Sequence, residues 1–84
     1  MKHKILVTGA SGAFGSLACI QLAENGHQVV GTMRSLNGKN ESIANKLRSV
    51  GVGLVAMDVT DEENVNAGVS SAIEMMGGLD TVFN

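Results

Sequence analysis

Short apolar runs alternate along this chain with longer stretches whose apolar residues recur at helical spacing. Ile5-Leu6-Val7 is uninterrupted and stops at Thr8-Gly9, the pattern of a strand buried on both faces. Over 15–25 the spacing turns helical: Leu17, Ala18, Ile20, Leu22 and Ala23 are apolar, Gln21, Glu24 and Asn25 gather late, and Gly26 stands where a left-handed C-terminal cap belongs. Val29-Val30, continued by Gly31-Thr32-Met33, predicts a second strand, and the polar stretch over 34–40 closes it. Ile43, Leu47 and Val50, four and three residues apart, make one stripe of a second helix with Gly51 as its cap. Leu54-Val55-Ala56-Met57 predicts a third strand ending at Asp58. Thr60 and Glu63 have the spacing of a capping box, which opens a third helix with Val65, Val69, Ala72, Ile73 and Met76 on one face. Gly77-Gly78 ends it, and residues 79–84, centred on Val82 and Phe83, predict a fourth strand.

Strands and helices that alternate with such short connections require parallel strands and right-handed crossovers. The predicted fold class is α/β, the first half of a doubly wound sheet, with 1–84 as one partial domain. Composition narrows the function. A formal net charge of −2 supplies no basic field for a nucleic-acid backbone, and no apolar run reaches the roughly 18 residues of a membrane span. The basic start, Lys2-His3-Lys4, leads into an apolar stretch too short for a secretory signal. Cys19 is the single cysteine, so neither an internal disulfide nor a thiolate metal cluster is available, and a cytoplasmic location is expected. The chain has eleven glycines but no proline, tryptophan or tyrosine, and its aromatics are Phe14 and Phe83 alone. Any mechanism that needs a phenol is excluded within these residues.

The chemistry concentrates in Thr8-Gly9-Ala10-Ser11-Gly12-Ala13-Phe14-Gly15, between the first strand and the first helix. Glycines there permit a tight turn and close backbone approach by a pyrophosphate, and a helix N-terminus with free N–H groups favours an anion. No Gly-Lys-Ser/Thr follows, which disfavours a nucleotide triphosphate loop.

This segment resembles the cofactor motif of the short-chain dehydrogenase/reductase family. Met57-Asp58-Val59-Thr60-Asp61 is similar to the family's segment after the third strand, and Gly78-Leu79-Asp80-Thr81-Val82-Phe83-Asn84 to the strand that leads into its Asn-Asn-Ala-Gly motif. Gly9, Gly12 and Gly15 match the TGxxGxxG form of the glycine loop, whereas the TGxxxGxG form would place its middle glycine at Ala13. The resemblance implies a Rossmann-like sheet of strand order 3-2-1-4. It also implies a dinucleotide held by Gly9, Ser11, Gly12, Phe14 and Gly15, with the Asp58 carboxylate and the Val59 amide on the adenine and Asn84 at the end of the fourth strand.

Cofactor choice depends on the end of the second strand. An NAD site normally offers a carboxylate there for the ribose 2′-hydroxyl, whereas Met33 stands at that position here and Arg34 follows. A guanidinium can fork onto a 2′-phosphate and stack over the adenine, no nearby Asp or Glu is expected beside it, and Ser35 and Lys39 can add donors. NADP(H) is therefore expected over NAD(H).

The remaining polar and sulfur side chains read as structural. Cys19 fits a small core residue, Met33, Met57, Met75 and Met76 fit core or pocket lining, and His3 and His27 lack a partner pattern for metal or acid–base work. In the family a tyrosine, a lysine four residues later and a serine carry hydride-transfer chemistry on a carbonyl or alcohol substrate. None of these 84 residues can take the tyrosine's role. The expectation is the NADP(H)-binding portion of an oxidoreductase, inactive alone. A non-catalytic dinucleotide sensor and a truncated product without activity are the alternatives. An open edge at the fourth strand and partial loss of cover over the sheet layer of the first and third helices further predict that the isolated chain self-associates or is only marginally folded.

Overall fold

The computed structural model describes residues 2–83. The apolar runs become β1 (Lys4–Val7), β2 (Gln28–Met33), β3 (Gly53–Ala56) and β4 (Thr81–Phe83), and the helical patterns become α1 (Ala13–Glu24), α2 (Glu41–Ser49) and α3 (Glu62–Met76). A short 3₁₀ turn, Gly38–Asn40, leads into α2. All pairings are parallel and the order is β3-β2-β1-β4, as expected.

The two-residue period of the strands sorts their side chains into two cores. Ile5, Val7, Val29 and Met33 point to one face, where they meet Cys19 of α1 and Ala44 and Leu47 of α2. Leu6 and Val30 point to the other and pack with Ala72 and Met76 of α3. The sheet is thus a middle layer, and its C-terminal strand ends are free to carry a site on their loops.

Several details differ from the sequence pattern. α1 begins at Ala13, two residues before the expected start, so Gly15 lies inside its first turn. The Thr60–Glu63 capping box does not form. Asp61 is the N-cap of α3 and its side chain accepts the Asn64 N–H at 3.2 Å, because the Thr60 hydroxyl is already donated backwards to Asp58. α2 ends at Ser49, which leaves Val50 at the surface while Val52 turns into the core. On α3 the inward face is Gly68, Ala72 and Met76, and Ile73 is exposed. Gly68 admits Met57, whose Sδ would lie 2.7 Å from any Cβ placed there.

The predicted cap glycines hold. Gly26 and Gly77 adopt φ of 89° and 74°, and their N–H groups bond back to Ala23 and Ile73. At the N-terminal edge of the sheet, the His3 N–H donates to His27 Nδ1 at 3.0 Å, and the Lys4 N–H donates to the Asp80 carboxylate at 2.8 Å. The two histidines, far apart in sequence, thereby join the starts of β1 and β2, a structural use that needs no metal.

β4 pairs with β1 on one side, and all three of its residues are exposed. Phe14, Leu17, Ile73 and Met75 are exposed on α1 and α3. Among the described residues no helix is long and apolar enough to cross a membrane.

Candidate functional site

The loops after β1, β2 and β3 meet at the C-terminal edge of the sheet and enclose a cleft of about 530 Å³. Thr8, Gly9 and Ser11 form one wall, Thr32, Met33 and Arg34 a second, and Met57, Asp58, Val59 and Thr60 the third. Met33 and Met57 are buried, and the Met57 N–H donates to the Met33 carbonyl at 2.9 Å, which keeps the β2 and β3 walls together just beyond β3.

The first wall is a tight turn that calls for glycine at positions 9 and 15. Gly9 has φ of 68°, and the Gly12 N–H closes the turn onto the Gly9 carbonyl at 3.1 Å. Ala10 is buried and its N–H donates to the Thr32 carbonyl at 2.8 Å, which pins the loop against β2. Gly31 makes room for that contact, since a Cβ there would stand 2.8 Å from the Ala10 methyl and 3.2 Å from Cys19 Sγ. Gly12 is the N-cap of α1, no side chain caps the helix, and no acid lies in its first turn. The opening N–H groups and the positive end of the dipole are therefore available to an anion in front of the loop.

The third wall is built around Asp58. Its Oδ1 accepts the Thr60 N–H at 2.9 Å and the Thr60 hydroxyl at 2.6 Å, and its own N–H donates to Asn64 Oδ1 at 2.6 Å. The two Thr60 donors hold the Asp58 carboxyl below the usual carboxylate range, with the Arg34 charge adding to them. Arg34 reaches across from the end of β2 on a largely exposed side chain, and its Nη2 lies 3.5 Å from Asp58 Oδ2. The expectation of no acid near Arg34 is thus corrected: the parallel pairing of β2 and β3 brings Asp58 beside it.

Of the residues expected at a cofactor site, Gly9, Ser11, Arg34, Asp58 and Val59 line the cleft. Gly12 and Gly15 lie at the helix start behind it. Phe14 is 89% exposed and does not line the cleft; it lies in the first turn of α1. Ser35 also stands outside, with its hydroxyl accepting the Asn37 N–H and its carbonyl accepting the Asn40 side-chain amide, so it shapes the loop. Asn84 lies outside the described residues. Thr8, Thr32 and Thr60 line the cleft without being among the expected cofactor contacts. Thr8 carried a signal as the head of the glycine loop and Thr60 in the Asp-x-Thr spacing of a side-chain turn, whereas Thr32 carried none. Among the described residues no group of three or more His, Cys, Asp or Glu is placed to hold a metal ion.

The chain is 31% identical over 86 residues to a 3-oxoacyl-[acyl-carrier-protein] reductase of Staphylococcus aureus, an alignment that covers all of this chain and 35% of that protein. It superposes on the 3-ketoacyl-(acyl-carrier-protein) reductase of Brucella melitensis complexed with NADH, with a TM-score of 0.78 and 31% identity over 93% of this chain and 31% of that one. A short chain dehydrogenase from Burkholderia cenocepacia in complex with NADP gives a TM-score of 0.79 at 26% identity, over 95% of this chain and 34% of that one. The chain spans about a third of the length of the curated relatives it matches. The family model described as short chain dehydrogenase matches residues 3–84, nearly the whole sequence, and the chain belongs to that family.

Proposed function

We propose that residues 1–84 form the part of a Rossmann domain that binds the adenosine and pyrophosphate portion of NADP(H). They would serve an oxidoreductase that moves a hydride between the nicotinamide and a carbonyl or alcohol. Arg34 carries the cofactor preference, because it stands over the cleft at the end of β2, where Met33 replaces an acid.

The cleft fits such a cofactor. Gly9 and Gly12 carry no Cβ, Ser11 offers a hydroxyl at the rim, and the uncapped start of α1 presents the N–H groups of Phe14 and Gly15 to a pyrophosphate. Asp58 and the Val59 backbone hold the adenine edge, Arg34 takes the 2′-phosphate, Ser35 supports its loop, and Asn84 is proposed as a further cofactor contact on the family resemblance alone. When bound, the cofactor supplies the hydride. This chain's residues hold the anion, orient the adenine and set the 2′ preference. No catalytic role falls on any of them, since the sequence has no tyrosine to hold and move the hydroxyl proton. Taken alone, the chain is further proposed to self-associate through β4.

Titrating the chain with NADPH and NADH, read by nicotinamide fluorescence, tests the preference. Tighter NADPH binding that disappears in Arg34→Ala is expected, and tighter NADH binding would overturn it.

A further inference from the structure

Arg34 meets Asp58 at the mouth of the cleft, and the two side chains are held very differently. Asp58 is fixed at both ends, its Oδ1 by the hydroxyl and N–H of Thr60 and its own N–H by Asn64 on α3. Arg34 has a side chain 77% exposed and touches Asp58 Oδ2 through one nitrogen at 3.5 Å. When the contact breaks, the arginine is the partner that moves.

We propose that Asp58 is a built-in counter-anion for Arg34, holding the guanidinium when the ribose carries a 2′-hydroxyl and releasing it to a 2′-phosphate, so that one cleft admits both cofactor forms. The inference rests on the assignment of Arg34 to the 2′ position. A single long contact between an exposed cation and a carboxylate is weak, whereas a phosphate can take the guanidinium fork with two parallel bonds. The exchange therefore runs toward the phosphate. A 2′-hydroxyl offers no competing charge, so the pair stays closed and the arginine is not left unpaired.

Adenine recognition survives in both states. A carboxylate offers about four acceptor positions. Thr60 uses two of them on Oδ1 and Arg34 takes one on Oδ2, which leaves one for the exocyclic amine of adenine whether or not the arginine departs. Asp58 thus lowers the discrimination that an unpaired arginine would impose, and its removal sharpens selectivity.

The test titrates the chain calorimetrically with adenosine 2′,5′-bisphosphate and adenosine 5′-monophosphate. The unaltered chain should prefer the bisphosphate. Asp58→Asn, which keeps an acceptor for Thr60 but loses the Oδ2 acceptor for the adenine amine of both probes, should weaken both and raise the ratio of bisphosphate to monophosphate affinity about two- to fivefold. Arg34→Ala should bring the two affinities together. An unchanged or reduced preference in Asp58→Asn, with Arg34→Ala behaving as expected, overturns the counter-anion while leaving the NADP(H) assignment standing. Equal binding of both probes by the unaltered chain, or binding of neither, overturns the assignment and the counter-anion with it. Nuclear magnetic resonance of the Arg34 side chain in the unaltered protein gives a readout free of variants. Its Nε signal should move with the bisphosphate and stay in place with the monophosphate, and movement with both removes the proposal.

Discussion

A Cβ at position 15 would lie 2.1 Å from the carbonyl oxygen of Gly9, too close for any side chain. The glycine loop thus contains a steric demand from its own backbone, separate from any ligand. At position 12 the nearest atom to an added Cβ is the same oxygen at 3.6 Å, an ordinary contact, and the backbone is extended. Gly15→Ala is expected to destabilise the fold by about 2–4 kcal/mol through overpacking and loop displacement. Gly12→Ala should leave stability nearly unchanged and weaken dinucleotide binding, because its methyl would stand where a pyrophosphate approaches. Urea unfolding with a parallel cofactor titration separates the two. Similar losses of stability in both variants would refute the distinction.

The start of α3 has two adjacent hydroxyl or carboxyl residues with different work. Asp61 caps the helix, while Thr60 faces back to Asp58. Asp61→Ala should cost about 1 kcal/mol of stability, the usual loss of a side-chain cap. Thr60→Val should leave the cap intact and act on the cleft, weakening adenine binding as the Asp58 carboxylate loses its hydroxyl donor. Chemical denaturation and titration with adenosine 5′-monophosphate distinguish these outcomes.

Both loci show what could be read from sequence and what could not. Strand and helix order followed from period and punctuation, since Ile5-Leu6-Val7 and the stripe of α3 obey the two- and 3.6-residue repeats. The cap at Thr60 was misplaced because two neighbouring residues had equal local chemistry, and the choice was made by Asp58, which supplied Thr60 with a better acceptor. Gly31 and Gly68 gave no local sign of their purpose. Each makes room for a side chain from another element, Ala10 and Met57 respectively. The site was legible where it is contiguous, in the glycine loop. The Arg34–Asp58 contact joins the ends of two strands 24 residues apart and becomes visible only once β2 and β3 are paired.

Asp58 should titrate below the ordinary aspartate range. A folded-state value lower than the unfolded one means that its contribution to stability is present at neutral pH and is lost as pH falls from about 4 downward through the depressed value. The carboxyl carbon resonance of Asp58 measures this directly. Thr60→Val removes the leading donor, so its titration midpoint should rise toward the usual value. A midpoint unaffected by that change would assign the depression to the donors that remain, the backbone N–H of residue 60 first and Arg34 after it.

β4 presents Val82 and Phe83 about half-exposed, and its outer edge has no strand beside it among the described residues. Such an edge is a template for pairing with another chain. Sedimentation velocity of the 84-residue chain should show concentration-dependent association. Val82→Lys, which places a charge on that strand, should reduce it. A monomer at all concentrations with a sharp cooperative melt would contradict the expectation.

Cys19 is fully buried between α1 and β2, beside Gly31, and burial pushes its thiol up to about 11. The native state therefore favours the neutral thiol over the thiolate, while the unfolded chain ionises near the ordinary value of about 8.5. Because the folded value is the higher one, the stabilisation is fully present below about pH 8.5 and declines as pH rises toward 11. Urea midpoints at pH 7 and pH 10 should fall more for the unaltered chain than for Cys19→Ala, which lacks the ionising group. The same burial makes alkylation at pH 8 follow unfolding rather than thiolate exposure, so its rate should rise with subdenaturing urea. Rapid labelling without urea would place the thiol at the surface and remove it from the packing that holds the glycine loop against β2.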